Sequence, residues 1–227
     1  MKRQNRVFAA LSIGIAAWVE PGYLLNKNLF KNYFGEVHPV LVILVMGFLG
    51  IFLTSFLLMQ NGFAIFSKTQ ARGRSAGFVL AAGLAVMAIL VDIVVKFPAD
   101  MNLLFPESLL FYPVIGFCVE IVFHVLPLSI LLWIFTGLFR HTNPVKILWV
   151  SLVIVAFIEP FFQAVSGLSA NLPAWVPFWV GLHVFLINIT QLVIFKRHGF
   201  IWMYLFRLAY YFFWHVAWGY FRLQVLF

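Results

Sequence analysis

Glu120 and His124 are the residues best able to do chemistry in this sequence, at the centre of the apolar stretch FYPVIGFCVEIVFHVLP. Residues four apart lie on one face of a helix, so a carboxylate and an imidazole are expected side by side. An ionisable residue inside a membrane-spanning helix costs roughly 2.5–3.5 kcal/mol on insertion scales and is a candidate functional residue by default. A carboxylate in such surroundings can act as a general base.

Two other apolar stretches offer polar residues that could meet this pair. Glu159 and Gln163 in IEPFFQ are again four residues apart, which places them on one helix face. His183 and Asn188 in HVFLINITQ are five apart and need not share a face. Each of these residues lies within an otherwise apolar run, where a polar side chain needs a partner inside the bundle.

A polar face also runs along the last aromatic stretch, FRLAYYFFWHVAWG, where Arg207, Tyr211 and His215 follow at steps of four. Counted at about 1.5 Å per residue from the predicted helix ends, Glu120, Glu159, His183 and His215 lie at similar depth in the outer half of the membrane. We therefore expect Glu120, Glu159 and His215 to face one cavity between the fourth, fifth and seventh helices, with His124 at its floor and His183 in its wall. The candidate catalytic residues are Glu120, His124, Glu159 and His215, and the candidate binding residues are Gln163, His183, Asn188, Arg207 and Tyr211.

The composition identifies a membrane protein. The 227 residues are 64% apolar and only 10% charged, which leaves too few polar residues to cover a soluble domain. We predict an all-α, polytopic membrane helix bundle that forms one domain over residues 1–227, with three helices in residues 1–107 and the candidate site in residues 108–227. Membrane lipid is the expected partner. The net charge of +8 does not indicate nucleic-acid binding, because the basic residues sit mostly at the ends of apolar runs.

A spanning helix needs about 20 mostly apolar residues, and the sequence contains seven such stretches. The predicted spans are residues 7–25, 39–59, 75–95, 108–139, 147–167, 174–195 and 200–223. The fourth is the longest and contains Pro113 and Pro127, which predict a kink, a tilt or a short preceding helix.

The Lys and Arg residues predict the orientation, because cytoplasmic loops carry the excess of basic residues. With the N-terminus inside, the inside segments hold Lys2, Arg3, Arg6, Lys68, Arg72, Arg74, Arg140, Lys146, Lys196 and Arg197, and the outside segments hold Lys27, Lys31, Lys96 and Arg222. The clearest inside loop is KTQARGR, residues 68–74. The prediction is a multi-pass protein of the plasma membrane with a cytoplasmic N-terminus and an external C-terminus.

Two charged residues within the predicted helices need partners. Arginine stays ionised in proteins, so Arg207 must reach the interface or pair with a carboxylate, and we expect a buried pair, with Glu159 as a candidate. Asp92 is expected to pair with Lys96, four residues further on near the helix end. Tryptophans near helix ends, Trp179 among them, are expected at the membrane interface.

The segment VEIVFH, residues 119–124, resembles the first motif of the CPBP family, the CAAX-protease and bacteriocin-processing intramembrane proteases. That motif reads Glu-Glu-x-x-x-Arg, often with an aromatic residue before the Arg. Glu120 matches the second Glu and Phe123 the aromatic residue, while Val119 and His124 occupy the other two positions. The nearest counterparts of the family's Phe-x-x-x-His and His-x-x-x-Asn motifs are FIEPF at residues 157–161 and His183 with Asn188. The resemblance covers roughly residues 108–227.

The resemblance implies a helical membrane enzyme of glutamate-dependent type. In that family a glutamate activates water for peptide hydrolysis, and His and Asn side chains stabilise the oxyanion, as a low-dielectric site favours. Carried over residue by residue, it assigns Glu120 as the base. The substrate would be a peptide or protein within the membrane, and no cofactor is implied.

Two other functions are consistent with the same residues. Two glutamates and three histidines at similar depth could bind iron or zinc, and His183 with His215 could be the axial ligands of a haem. Alternatively, the chain is a non-enzymatic transporter or lipid-binding bundle in which Glu120 and Glu159 are proton sites.

Overall fold

The computed structural model describes residues 1–67, 71–139, 141–166 and 172–227, without the side chains of residues 71–74 and 164–166. The described residues form helices and no strand, which confirms the predicted all-α fold. The helices are α1 (Lys2–Leu25), α2 (Lys27–Phe34), α3 (Pro39–Asn61), α4 (Ala71–Val95), α5 (Glu107–Val119), α6 (Leu126–Leu138), α7 (Pro144–Ser166), α8 (Trp175–His198), α9 (Phe200–Tyr211) and α10 (Gly219–Val225). The side chains of the predicted inside loop, residues 68–74, and Arg140 lie outside the described part.

Among the described residues, six helical stretches are long and apolar enough to cross a membrane by length and composition. They are Lys2–Leu25, Pro39–Asn61, Ser75–Val95, Glu107–Leu138, Pro144–Gln163 and Trp175–His198. Each coincides with a predicted span, and the chain is an integral membrane helix bundle. The seventh predicted span, residues 200–223, falls on α9, a π-helical segment and α10, which follow one another without a break. A seventh crossing stays a prediction.

Pro127 marks the point where the long fourth stretch changes its helical register. Proline has no N–H, so the carbonyl four residues earlier loses its α-helical partner. The preceding segment, Glu120–Val125, is π-helical, and the N–H of Leu126 donates to the carbonyl of Ile121, five residues back. Pro127 then lies in the first turn of α6, where a missing N–H costs nothing. The kink expected at Pro127 is therefore a π-helical segment, and it carries Glu120 and His124.

Close packing of α1 on α3 depends on small residues. A Cβ atom on Gly47 would lie 2.7 Å from the Cβ of Ser12, and one on Gly50 would overlap the ring of Phe8. Small residues let helices approach closely in membranes, where lipid tails are as apolar as the side chains and burial alone drives little association. This N-terminal part contacts α5 and the first π segment and contains none of the candidate site residues.

The helices that carry the candidate site pack in sequence around the first π segment. α7 lies against α6 and α8, α8 lies against α9, and α4 covers α9 and the second π segment, Phe212–Trp218. The connection from α4 to α5, which includes the 3₁₀ turn Ala99–Met101, is held against α10. Polar residues far apart in sequence thereby meet in the interior of the bundle.

Candidate functional site

Arg207 lies at the centre of the candidate site, with only 2% of its surface exposed. Its Nε donates to Oε1 of Glu120 over 2.6 Å, and its terminal nitrogens donate to the two oxygens of Glu159 over 3.2 and 3.0 Å. The two remaining N–H groups donate to the Tyr211 hydroxyl and to Oε1 of Gln191, each over 3.0 Å. A guanidinium has five N–H donors, so all of them are used within the protein. The expected buried pairing of Arg207 with a carboxylate is confirmed.

Glu120 is fully buried beside Arg207. Its Oε1 accepts a second hydrogen bond from Nε2 of Gln191, and its Oε2 lies 3.0 Å from Nδ1 of His124. That distance is within ion-pair range, although the two atoms do not meet hydrogen-bond geometry. Charge-assisted hydrogen bonds to arginine are about twice as strong as neutral ones, which explains why the carboxylate turns to Arg207.

A cavity of about 150 Å³ lies beside Arg207, between α7, α8, α9 and the second π segment. Predicted site residues make up much of its lining: Glu159, Gln163, His183, Asn188, Arg207, Tyr211 and His215. Glu120 and His124 are not in the lining, so the expectation that Glu120 faces this cavity, with His124 at its floor, is wrong. The expectation that Glu159 and His215 share one cavity, with His183 in its wall, is confirmed.

His215 is held in one orientation by Asn102, a residue of the connection from α4 to α5. Its Nδ1 lies 2.6 Å from Oδ1 of Asn102. An amide oxygen can only accept, so this orientation of Asn102 fits the tautomer with the proton on Nδ1 and with Nε2 as an acceptor. The ring of Tyr112 stacks on the imidazole, with the centroids 4.6 Å apart. Asn102 and Tyr112 together therefore fix the orientation of the His215 ring in the cavity wall.

Tyr211 provides a hydrogen-bond donor next to His215. Its hydroxyl oxygen accepts from Arg207, so its own O–H remains available to donate. The rings of Tyr211 and His215 are nearly perpendicular, with centroids 5.1 Å apart. A hydroxyl that accepts from a buried cation is polarised, which strengthens it as a donor.

The other cavity residues have partners of their own. Nε2 of His183 lies 3.2 Å from the Tyr210 hydroxyl, and the His183 ring stacks on Trp179 at 4.7 Å. Trp179 also lines the cavity, and its expected position at the membrane interface stays a prediction. Nδ2 of Asn188 donates to the carbonyl of Ala156 over 3.3 Å, and Nε2 of Gln163 donates to Glu159 over the same distance.

A second buried ion pair joins α4 to α10. Arg222 donates to both oxygens of Asp92 over 2.7 and 2.8 Å, and Nε1 of Trp218 donates to Asp92 over 2.6 Å. The rest of the guanidinium donates to the carbonyls of residues 97–99. The expected pair of Asp92 with Lys96 is therefore wrong. α4 ends at Val95. The N–H of Lys96 still donates to the Asp92 carbonyl over 2.7 Å, but the φ of +53° at Lys96 changes the direction of its side chain.

Three residues of the site are not predicted by the sequence: Asn102, Tyr210 and Arg222. Gln191 belongs to the polar stretch HVFLINITQ but has no predicted role there, although it follows Asn188 by three residues and so shares its helix face. Asn102 lies in a connection where no periodicity applies. Arg222 was taken for an outside cation, but it is completely buried.

The geometry gives no support to a metal or haem site. No group of three or more His, Cys, Asp or Glu residues is placed to hold a metal ion in the described ranges. His183 and His215 share the cavity, but its volume of about 150 Å³ is well below the roughly 300–1,000 Å³ of ligand pockets. The cavity has room for water and one small polar group, and not for a macrocycle.

Comparison of the chain with protein-family models, with curated proteins and with solved structures finds no match in any of the three. The class of protein therefore follows from the fold and the site alone. The chain is an integral membrane helix bundle with a buried polar network beside a small cavity.

Proposed function

We propose that the chain is a membrane-embedded hydrolase in which His215 is the general base and Tyr211 donates to the oxyanion. The observation that supports the proposal is the 2.6 Å contact between His215 Nδ1 and Asn102 Oδ1 in a residue that lines the cavity, because the tautomer that fits this contact has Nε2 as an acceptor. The resemblance to the CPBP proteases favours the peptide bond of a substrate within the membrane.

The proposed reaction uses these side chains in order. Nε2 of His215 takes a proton from a water molecule while the water oxygen attacks the substrate carbonyl carbon. The charge that develops on the carbonyl oxygen is stabilised by the Tyr211 O–H, which Arg207 polarises. The imidazolium then returns its proton to the leaving amine, as the histidine of a serine protease does.

The two glutamates have a positioning role in this proposal. The resemblance assigns Glu120 as the base, but its Oε1 accepts from Arg207 and Gln191, and the carboxylate lies outside the cavity. Both oxygens of Glu159 accept from Arg207. Together the carboxylates hold the guanidinium in place, and the guanidinium holds Tyr211.

An apolar groove supports a membrane-embedded substrate. Its volume is about 410 Å³, and Tyr211 belongs both to its lining and to the wall of the polar cavity. Leu208, Phe212 and Phe213 are among its other residues. An α-helix is about 10–12 Å across with its side chains, so this volume holds only about one turn of it. We propose that an extended apolar segment of the substrate lies here.

The experiment is hydrolysis of quenched fluorescent peptides with apolar ends by the full chain in lipid nanodiscs. His215→Gln should lower the rate by about 10²–10⁴-fold, the usual contribution of a general base. Tyr211→Phe should lower it by about 10²–10³-fold, as the loss of one oxyanion donor does. His141→Gln replaces an exposed histidine and is the matched control. Parental rates in His215→Gln, or no hydrolysis by the parent protein, would contradict the proposal.

A second function is favoured by the charge of the network. Glu120 and Glu159 share a single guanidinium, which leaves one negative charge in excess, and His124 lies 3.0 Å from Glu120. Because a buried charge is costly, this pair is suited to hold a proton. A proton-coupled transporter would use that site. Proton uptake into dye-loaded liposomes, abolished by Glu120→Gln and unaffected by His215→Gln, would favour this function over hydrolysis.

The orientation belongs to the same proposal. We propose a multi-pass protein of the plasma membrane with its N-terminus in the cytoplasm, because the predicted inside segments carry most of the basic residues. Arg222 is buried and so is not one of the exposed outside cations. The excess of basic residues in the predicted inside segments is therefore larger than the sequence alone indicates.

A further inference from the structure

We propose that one anionic phospholipid binds in the groove between the start of α4 and the end of α8. The groove has a volume of about 400 Å³ and lies apart from the polar cavity. No lining residue is shared between the two, so this inference does not depend on the proposed hydrolysis, although it rests on the proposed orientation.

The walls of the groove fit a hydrocarbon chain. Leu80 on α4 and Ile189, Val193 and Ile194 on α8 provide apolar sides. Gly77 provides the space between them, because a Cβ atom added there would meet only Cδ1 of Ile194, at 3.8 Å. An apolar slot between two membrane-spanning helices is filled by lipid when no other helix covers it.

The polar end of the groove carries uncommitted cationic and polar groups. Arg197 lines the groove, is exposed and makes no hydrogen bond or ion pair with the described residues. Nδ1 of His198 is buried without a partner in the described part of the chain. The neighbouring Lys196 is committed elsewhere, since it donates to the carbonyl of Asn61 and lies over the Phe63 ring. Arg197 is thus left to bind a ligand at the polar end of the groove, with His198 beside it.

Thr190 adds a free hydroxyl between the apolar walls and the basic end. Thr54, Ser129 and Ser151 each donate to the carbonyl four residues earlier, the usual arrangement in a helix. Thr190 makes no hydrogen bond to the residues that the structure describes. Its hydroxyl is therefore available to an ester oxygen of a lipid.

Charge complementarity selects an anionic lipid for this groove. The basic end coincides with the predicted cytoplasmic side, where the leaflet carries negative lipids and each nearby Lys or Arg contributes about 1 kcal/mol, or about fivefold in affinity. The sequence places Arg72 and Arg74 at the start of α4 on the same side. A phospholipid with its phosphate at Arg197 and one acyl chain along Gly77 would contact both the basic end and the apolar walls of the groove.

Native mass spectrometry of the full chain in detergent tests this, with dioctanoyl phosphatidylglycerol, dioctanoyl phosphatidylcholine and inorganic phosphate as probes. We expect one phosphatidylglycerol bound at least fivefold more tightly than phosphatidylcholine, and no binding of phosphate alone. Arg197→Gln should reduce the preference for phosphatidylglycerol about fivefold. Gly77→Leu should fill the groove and weaken both lipids at least tenfold.

Two matched controls accompany these variants. Gly83→Leu changes another α4 glycine, where an added Cβ meets nothing within 4 Å, and Lys146→Gln removes an exposed cation of the predicted inside. Both should bind lipid like the parent protein. Equal affinity for the two lipids, equal losses in Arg197→Gln and Lys146→Gln, or binding of phosphate alone would overturn the proposal. If Gly77→Leu fails to fold, the Arg197→Gln comparison decides.

Discussion

Arg207 determines how each neighbouring side chain in the site can act. It ties Glu120 and Glu159, which come from two different helical stretches, to Tyr211 on its own helix. A buried ion pair adds little net stability compared with apolar residues of the same size, but removal of one partner leaves an uncompensated charge. The network therefore specifies one arrangement of the helices around the cavity more than it adds to the stability of the bundle.

Arg207→Ala should lower the free energy of unfolding by about 3–5 kcal/mol, because two buried carboxylates lose their partner. Arg207→Lys should restore only part of it, since the forked, five-donor geometry is lost. Thermal denaturation of the two variants in detergent measures both changes in stability. Arg3→Ala, at an exposed position near the N-terminus, is the control. An Arg207→Ala variant that unfolds like the parent would show that the network does not stabilise the bundle.

The two π-helical segments are the elements that place the site. Each carries candidate residues, Glu120 and His124 in the first and His215 in the second. Such segments are rare and frequently occur at functional sites. The second one is followed by α10, in which Gly219 and Arg222 contact the connection that holds Asn102.

Gly219→Ala should impair hydrolysis through Asn102. A Cβ atom on Gly219 would lie 3.0 Å from the Cβ of Asn102, so Asn102 would be displaced by a few tenths of an ångström and its contact with Nδ1 of His215 would be weakened. We expect the rate of peptide hydrolysis to fall by at least tenfold. Gly14→Ala is the matched control, because an added Cβ there meets nothing within 4 Å. In a helix that change should be neutral or stabilise by about 0.5–1 kcal/mol. Equal hydrolysis rates in the two variants would refute the positioning role of Gly219.

At the scale of the whole molecule, the sequence predicts those features of the fold and the site that depend on local hydrophobic pattern or on the cost of burying a charge. The six apolar stretches and the pairing of Arg207 with a carboxylate followed from these two causes. Partner choice could not be predicted, because it depends on contacts between distant segments. Asp92 lies 130 residues from Arg222, and only the packed bundle brings them together in preference to the adjacent Lys96. The sequence does not predict that the Glu120 carboxylate points away from the cavity, because its partners Gln191 and Arg207 are distant in sequence.

The predicted orientation is testable by cysteine labelling of intact cells. Tyr33 is 56% exposed and is predicted to be outside, whereas His141 is exposed and predicted to be inside. A membrane-impermeant maleimide should label Tyr33→Cys in intact cells and His141→Cys only after the cells are opened. Phe227→Cys should label from outside if residues 200–225 form a seventh crossing. Cys118 is buried and serves as the unlabelled background. The opposite pattern would reverse the topology.

The most direct test of the account is the protonation state of His215 in the full chain, measured by ¹⁵N NMR of histidine-labelled protein in nanodiscs. The His215 signals are assigned by their loss in His215→Gln. We predict a neutral His215 ring with its proton on Nδ1 and an unprotonated Nε2. Asn102→Ala should change this pattern, because Asn102 is the acceptor that fixes the tautomer. A proton on Nε2 in the parent protein, or the same spectrum in Asn102→Ala, would contradict His215 as the base.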